Sequence, residues 1–308
     1  IDAEAAAAGT EPFALEAWDW WYYTEKLRRQ RFDLDEGELR PYFALPAVRE
    51  GMFTVAGRLF GLSFTQRDDI PVWHPDVTAY EVTDAAGAHV AVLYLDYFPR
   101  ESKRGGAWMN ALRKQARRDG RRIAPVVLNV GNFTRPTGDT PALLSIDEVL
   151  TMFHEFGHAL HGMLSQCTYR SLSGTSVARD FVELPSQVME NWALEPEVLA
   201  LYARHWRTGE PIPAGLVEKL QRADTFNQGF AVTEYLAASF LDLAWHVLPE
   251  AETADLDARA FERRALDRIG LIPEIVVRYR SPYFRHIFSG GYAAGYYGYL
   301  WALVYAED

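Results

Sequence analysis

The 308 residues carry 42 acidic and 31 basic side chains, a formal net charge of −11, and 49% of them are hydrophobic. This composition allows a large buried core, lacks the basic cluster that nucleic-acid binding requires, and contains no run of about 18 apolar residues from which to predict a membrane span. The single cysteine, Cys167, excludes an internal disulfide. It suits a reducing compartment, so we expect a cytoplasmic location.

Two helices are predicted before the first strand. Pro12–Arg31 and Pro46–Phe60 both repeat apolar residues at helical spacing. The first contains a stripe of large apolar side chains: Phe13, Trp18, Trp21, Tyr22 and Leu27. Such a stripe is most often core or packing surface, and we expect that role here.

A small sheet is expected at about 62–133. Its strands are predicted at Leu62–Gln66, Val77–Thr83, Val90–Tyr97 and Pro125–Phe133. The turn residues Asp84–Gly87 join the second and third strands as a hairpin, and Trp108–Arg118 is predicted to be a helix. Because an exposed sheet edge can bind a peptide as an added strand, we expect the strand at 125–133 to be that edge.

A buried helix follows, and it contains a His-Glu-x-x-His sequence. Ser145 and Glu148 form the S-x-x-E pattern that starts a helix. His154 and His158 lie four residues apart on one face and can share a zinc ion, while Glu155 can act as general base on a water molecule there. The alternative is a chance match in which the histidines make ordinary hydrogen bonds in the core.

A catalytic zinc site needs a third protein ligand. Glu183 follows His158 by 25 residues, and the stretch 171–176 between them has turn-forming composition. This spacing allows a second, antiparallel helix that begins at Asp180 or nearer Leu184, so we interpret Glu183 as the third ligand and place the zinc helices at about 145–192. Three residues on the same helix face are candidates to hydrogen-bond the histidines: Asp180, Gln187 and Glu190.

The rest of the chain is predicted to be helical up to a segment rich in glycine and tyrosine. The helices are predicted at Pro196–Trp206, Pro213–Phe226, Ala231–Leu248 and Asp257–Arg268. In the glycine-rich segment, Tyr292, Tyr296 and Tyr299 would share one face of a helical turn. The residues alone favour equally a packing segment and a mobile segment whose phenols donate hydrogen bonds.

These motifs together resemble the thimet oligopeptidase family of zinc metallopeptidases. The resemblance is carried by His154–His161, by the Ser-Gly-Thr at 173–175 and by Arg179–Trp192. Two further segments, Pro99–Met109 and Arg278–Phe284, are most similar to the bacterial peptidyl-dipeptidase (dipeptidyl carboxypeptidase) branch. The resemblance covers essentially the whole chain.

The resemblance implies a fold that is mainly α with a small β-sheet, a zincin-type catalytic region similar to neurolysin. It implies one catalytic region over residues 1–308, a fragment without the family's N-terminal helical part and its extreme C-terminus. The implied cofactor is one Zn²⁺ per chain, held by His154, His158 and Glu183.

The resemblance also implies that the glycine- and tyrosine-rich segment is a loop that closes over the substrate. By position, Tyr299 matches the tyrosine that stabilises the oxyanion. His286, Tyr292 and Tyr296 match residues that contact the substrate.

We therefore expect zinc-dependent hydrolysis of short peptides that releases dipeptides from the C-terminus. The alternatives are an oligoendopeptidase that cuts internal bonds and an inactive metal-binding fragment. Four cationic residues are candidates to bind the substrate's C-terminal carboxylate: Lys103, Arg104, Arg278 and Arg280. No nucleic-acid or membrane partner is expected, and the sequence leaves the oligomeric state open.

Overall fold

The computed structural model describes residues 5, 6, 9, 11 and 13–308. Its contacts divide the chain into two compact units, each of which is described by itself. The sheet unit comprises Asp35–Val217 and Ala302–Asp308, and the helical unit comprises the chain up to Leu34 and Glu218–Trp301. Within the described ranges, no helix is both long enough and apolar enough to cross a bilayer.

The α-helices dominate both units. From Trp20 onward they are α1 Trp20–Phe32, α2 Glu36–Leu39, α3 Leu45–Phe60, α4 Ile146–Leu164, α5 Leu184–Ala193, α6 Pro196–Tyr202, α7 Ala214–Ala223, α8 Gln228–His246, α9 Ala258–Arg268, α10 Arg285–Phe288 and α11 Gly298–Glu307. Helices are present at the segments predicted at 46–60, 213–226, 231–248 and 257–268, whereas the helix predicted at 196–206 ends at Tyr202.

The sheet unit holds the β-structure. Its strands are β1 Ser63–Gln66, β2 Thr78–Thr83, β3 His89–Asp96, β4 Trp108–Arg113, β5 Ala116–Arg118, β6 Arg121–Ile123 and β7 Val126–Val130. Five of them form a sheet in the order β1-β2-β3-β7-β4, in which only the β3–β7 pair is parallel, and β5 and β6 form a separate hairpin. The mainly helical fold with a small sheet is confirmed, while the zincin type stays a prediction.

The hairpin between β2 and β3 forms where turn residues predicted it. The Asp84 carboxylate accepts hydrogen bonds from the backbone N–H groups of Ala86 and Ala88, both at 2.9 Å. Gly87 adopts a left-handed φ of 78°, which glycine takes without steric cost. Local turn chemistry therefore fixes this part of the sheet.

Two predictions about the sheet are wrong. Residues 108–118 form strands rather than a helix, because Trp108–Arg113 pairs antiparallel with Val126–Val130, and this pairing outweighs the helical spacing of its apolar residues. The strand predicted at 125–133 is not an edge, because β7 lies between β3 and β4. The edge strand on that side is β4, the last strand in the order.

The predicted N-terminal helix also needs correction. It begins at Trp20, the residues 13–19 before it are not helical, and Pro12 lies outside the described residues. The aromatic stripe is not core, since Trp18 and Trp21 are 78% and 63% exposed. The expected packing role is partly met, because Trp20 and Trp21 both contact the Phe230 ring, at 4.6 and 5.2 Å between centroids, although no residue of the helix is buried.

Candidate metal centre

Helix α4 begins where its sequence predicts. The Ser145 hydroxyl accepts a hydrogen bond from the Glu148 N–H at 3.1 Å, and the Ser145 N–H donates to the Glu148 carboxylate at 2.8 Å. This capping box satisfies N–H groups that the first turn leaves without helical partners. Because its start is fixed and most of its length is buried, the polar residues in the middle of the helix have defined directions.

Three of the predicted residues converge on one point. The Glu183 Oε2 atom lies 3.3 Å from His154 Nε2 and 3.1 Å from His158 Nε2, and the ligand atoms of all three residues lie within 4.8 Å of one another. Two ligands bound to one zinc ion at about 2.0–2.1 Å with tetrahedral angles are about 3.3–3.4 Å apart. The nitrogen and oxygen atoms present therefore fit a zinc ion.

The third residue of the group is positioned by the start of helix α5. Glu183 immediately precedes that helix, and its side chain is 1% exposed. The Ser186 hydroxyl donates to the Glu183 carbonyl at 2.7 Å and faces the Glu183 Oε2 at 3.3 Å. A helix starting at Leu184, with Pro185 in its first turn, confirms the later of the two predicted start points and places Asp180 outside the helix.

Gly157 lets the two helices approach closely enough for this contact. A Cβ atom at Gly157 would lie 2.5 Å from the Pro185 carbonyl oxygen and 2.6 Å from the Ser186 Cα, distances that real Cβ atoms do not adopt. Only glycine therefore fits between His154 and His158 at the point where α5 meets α4. The His-Glu-x-x-His motif does not specify the residue at position 157, whereas the packing of α5 on α4 requires glycine there.

The charges around the group favour a cation at its centre. Burial alone would raise the pKa of the Glu183 carboxyl, but hydrogen bonds from His154 and His158 outweigh that effect and hold the pKa below its ordinary value. Burial acts to lower the pKa of His154, but its contacts with Glu183 and Glu190 raise it to about 10. Three ligand atoms that face one another beside buried carboxylates therefore form a site that a cation would stabilise.

Glu190 supports His154 from its other side. The Nδ1 atom of His154 lies 2.5 Å from the Glu190 Oε1. Since a carboxylate can only accept, Nδ1 carries the hydrogen and Nε2 faces the Glu183 carboxylate, where a metal would bind. Of the three predicted hydrogen-bond partners of the histidines, Glu190 makes this contact.

Glu155 occupies a buried position beside the three-residue group. It is 7% exposed, and its Oε2 atom has no hydrogen-bond partner within the described part of the chain. Burial raises the pKa of this carboxyl, although the neighbouring His154 and His158 partly oppose the rise. A buried carboxylate oxygen without a partner is costly unless something outside the chain completes it, as a water molecule on a bound metal would.

A buried asparagine connects the metal helix to the middle of the sheet. Asn129 on β7 is fully buried, and its Nδ2 donates to the backbone carbonyl of Glu155 at 2.7 Å. Sequence analysis did not single out Asn129, Ser186 or Gly157. The one available signal was a polar residue within the apolar strand Val126–Val130, which is unusual unless it makes a specific contact.

The predicted substrate-contacting residues lie together in the helical unit. The Tyr292 and Tyr299 rings stack at 5.3 Å between centroids, and Tyr296 lies 5.1 Å from Tyr299 and 5.7 Å from His286. A regular helix begins only at Gly298, so the one-face arrangement comes from turns rather than from the helical turn that we predicted. Tyr296 is 2% exposed, and burial raises its pKa.

Two of the four candidate cations for binding a carboxylate are engaged within their own unit. The Lys103 ammonium donates to the Asp96 carboxylate at 3.1 Å and to backbone carbonyls, including that of Phe98 at 2.8 Å. The Arg280 guanidinium donates to the buried Glu262 carboxylate at 2.7 Å. Their contacts indicate structural roles.

The other two candidates contact aromatic rings. The Arg278 guanidinium lies over Tyr235 at 4.9 Å from the ring centroid and also contacts the Glu234 carboxylate at 3.2 Å. The Arg104 guanidinium lies over Trp108 at 5.4 Å. An arginine over an aromatic face keeps hydrogen-bond donors at the edge of its plane, which leaves them able to bind an anion.

Comparison with known proteins identifies relatives along nearly the whole chain. The dipeptidyl carboxypeptidases of Salmonella typhimurium and Escherichia coli are each 49% identical over 298 residues, which cover 96% of this chain and 43% of the relative. The oligopeptidase A of Escherichia coli is 40% identical over 303 residues, with the same coverage. The chain thus spans less than half the length of these curated relatives.

The match to a family extends over the same range. The sequence model of Peptidase family M3 matches residues 2–308, which include both zinc-motif helices and the tyrosine-rich segment. Because this match covers almost every residue, the chain belongs to Peptidase family M3.

Proposed function

We propose that this chain is a zinc-dependent peptidase region that hydrolyses short peptides. The observation that carries the proposal is the convergence of His154, His158 and Glu183 within 4.8 Å beside the buried Glu155, whose Oε2 has no hydrogen-bond partner among the described residues. A zinc ion held there would polarise the scissile carbonyl and lower the pKa of a bound water. Family membership and the names of the relatives support the same chemistry.

In this proposal the residues of the chain divide the work. Glu155 accepts a proton from the attacking water and passes it to the leaving amine, a role that suits a carboxyl whose pKa is raised. Glu190 holds the His154 ring through Nδ1, so that Nε2 is available as a ligand. The Tyr299 hydroxyl donates a hydrogen bond to the oxyanion, as its match to the family position implies.

Metal analysis of two variants tests these roles separately. Glu183→Ala should lose bound zinc, because two histidines leave the site one ligand short. Glu155→Gln should keep zinc, because it removes only the proton acceptor, and it should lose peptide hydrolysis. A Glu155→Gln protein without zinc would contradict the assignment, and so would a Glu183→Ala protein with a full complement of zinc.

We further propose that hydrolysis releases dipeptides from free C-termini. The higher identity to the relatives named dipeptidyl carboxypeptidase, 49% against 40% for oligopeptidase A, supports this mode. Recognition of a free carboxylate needs a group with several donors about two residues, roughly 7 Å, from the scissile bond. Arg104 and Arg278 remain the candidates, because Lys103 and Arg280 are engaged with buried carboxylates.

Digestion of one peptide in free and amidated form distinguishes the modes. Amidation should slow dipeptide release by about tenfold or more, which corresponds to about 1.4 kcal/mol. Equal rates with cuts at internal bonds would favour the oligoendopeptidase. Zinc binding without turnover of either peptide would favour the inactive metal-binding fragment.

A further inference from the structure

The tyrosine-rich segment between helices α10 and α11 is held in an irregular conformation. Gly291 and Ala294 have left-handed φ values of 85° and 52°. The segment's own turn bonds are few, such as Gly295 N–H to the Tyr292 carbonyl at 2.8 Å. An alanine in the left-handed region is unfavourable by itself, so contacts from outside the segment must stabilise this conformation.

A buried carboxylate on helix α8 makes those contacts. Asp242 is fully buried, its Oδ1 accepts the Ala294 N–H at 2.9 Å, and its Oδ2 accepts the Tyr296 N–H at 2.9 Å. The two bonds hold alternate residues of the segment across 52 and 54 positions of sequence. Tyr296, one of the two residues bonded to Asp242, is itself a member of the tyrosine cluster.

The carboxylate is in turn fixed by a histidine one helical turn away. His246 Nδ1 lies 2.8 Å from the Asp242 Oδ1 and 2.8 Å from the Asp242 carbonyl oxygen. Since the Asp242 carbonyl oxygen only accepts, Nδ1 carries the hydrogen and donates to it, and the same nitrogen lies against the Oδ1 atom. Asp242 therefore has two backbone N–H donors and the His246 Nδ1 atom around a single buried carboxylate.

The backbone held by Asp242 carries the aromatic cluster. Tyr296 is 2% exposed and packs against Phe284, with ring centroids 5.0 Å apart. Tyr299 follows three residues later and stacks on Tyr292. The hydrogen bonds to the Ala294 and Tyr296 N–H groups fix the local backbone. That backbone in turn sets the directions of the tyrosine side chains.

We propose that Asp242 is a positioning residue that sets the conformation in which Tyr292, Tyr296 and Tyr299 are presented to substrate. The inference rests on the proposed function of those tyrosines in peptide hydrolysis. Asp242 acts through the backbone of the segment, and no contact of its own with substrate is required. Nothing in the sequence pattern around Asp242 indicates this role, because its partners lie more than fifty residues away.

Hydrogen exchange of the 308-residue chain tests the positioning directly. In Asp242→Asn one carboxylate oxygen becomes an NH₂ group that faces a backbone N–H, so one of the two bonds is lost. We expect the amides of residues 290–298 to exchange about tenfold faster, since local opening then competes with the native conformation. Unchanged exchange in that segment would overturn the proposal.

Glu262→Gln is the matched control. Glu262 is also a buried carboxylate of the helical unit, and it accepts the Ser281 N–H at 2.7 Å and the Ser281 hydroxyl at 2.9 Å. Its substitution should lower the thermal midpoint as Asp242→Asn does, but leave exchange at 290–298 unchanged. Equal acceleration in both variants would show a general loosening of the unit and contradict a specific role for Asp242.

A milder variant keeps the test decisive if Asp242→Asn fails to fold. His246→Ala leaves the carboxylate in place and removes the imidazole that lies against it and that also contacts the Phe288 ring at 6.0 Å. We expect exchange at 290–298 to accelerate by about two- to fivefold, less than in Asp242→Asn, because the two backbone bonds remain. No acceleration in a folded His246→Ala protein would count against Asp242 as the residue that positions the segment.

A double-mutant cycle on kcat/KM tests whether Asp242 acts through Tyr299. Asp242→Asn alone should lower kcat/KM by about tenfold, and by less than about threefold in a Tyr299→Phe background, because residues that act through one another are not additive. Independent, multiplying losses would overturn the coupling. If Tyr299→Phe by itself has no effect, the proposed function of the tyrosine fails, while the exchange result still decides whether Asp242 holds the segment.

Discussion

The metal centre and the tyrosine cluster are built in different ways. At the metal centre, two histidines of helix α4 meet Glu183, the residue just before helix α5, and Gly157 allows the two helices to approach until Glu183 contacts both histidines. At the tyrosine cluster, irregular backbone carries the tyrosine rings, and Asp242 holds that backbone through two amides.

The difference predicts different sensitivities. Two packed helices leave little room for added volume but need no charge to keep their backbone in place. A segment of turns depends on a few hydrogen bonds, and it can move when they open. The metal centre should therefore respond most to changes in packing and to its ligands, and the tyrosine cluster to changes in the carboxylate that holds it.

A buried carboxylate outside both regions, Asp96, should give the largest effect. Asp96 accepts from both Arg100 nitrogens at 2.7 and 2.8 Å, from Lys103 at 3.1 Å and from Trp73 at 2.9 Å. Asp96→Asn leaves the Lys103 ammonium, 4% exposed, without its counter-charge. We expect a loss of about 3–5 kcal/mol in the free energy of unfolding, measured by urea denaturation.

The pH dependence of the same variant checks the cause. Burial would raise the pKa of Asp96, but hydrogen bonds from Arg100, Trp73 and Lys103 lower it to about 2, below the ordinary value near 3.9. Its stabilisation is therefore present above about pH 4 and is lost as the pH falls toward 2. The native protein should lose stability across this range more steeply than Asp96→Asn, and parallel curves would contradict the assignment.

Tyr299→Phe tests whether the tyrosine cluster takes part in chemistry. If the phenol donates only to the oxyanion, kcat should fall by about 10²–10³ with KM nearly constant. Tyr297→Phe is the control, since Tyr297 is 40% exposed beside the cluster. A change confined to KM would assign Tyr299 to substrate binding instead.

Gly157→Ala tests the close approach of the helices at the metal centre. The added methyl group would meet backbone atoms of Pro185 and Ser186, so we expect a cost of about 1–3 kcal/mol in stability together with weaker zinc binding. Gly215→Ala is the control, because a Cβ there meets nothing within 4 Å. Zinc titration and thermal unfolding of both proteins make the comparison. Unchanged zinc affinity in Gly157→Ala would contradict the claim that the close approach of the helices sets the ligand geometry.

Glu190→Gln should give the smallest effect of the series. It keeps the shape of the side chain but removes the charge that faces His154 Nδ1, so zinc affinity should fall by about tenfold. Glu197→Gln, an exposed residue of the next helix, should leave the affinity unchanged. A loss as large as that of Glu183→Ala would place Glu190 among the ligands.

The comparison also separates what was predictable from what was not. The capping box at Ser145, the helical periodicity of α4 and the four-residue spacing of His154 and His158 depend on neighbours within a few positions. Such local geometry repeats wherever the spacing occurs, because the helix itself places residues i and i+4 on one face. The sequence also indicated Glu183, since a site with two histidines needs one more ligand.

Only the tertiary structure decided which segments pair. The residues Trp108–Arg113 carry a pattern compatible with a helix, and their pairing with β7 makes them the edge strand while placing β7 inside the sheet. Asn129 reaches Glu155 across 26 positions, and Asp242 reaches Ala294 across 52. A local pattern cannot specify such partners, because the free energy that selects them comes from contacts formed only after distant parts of the chain have packed together.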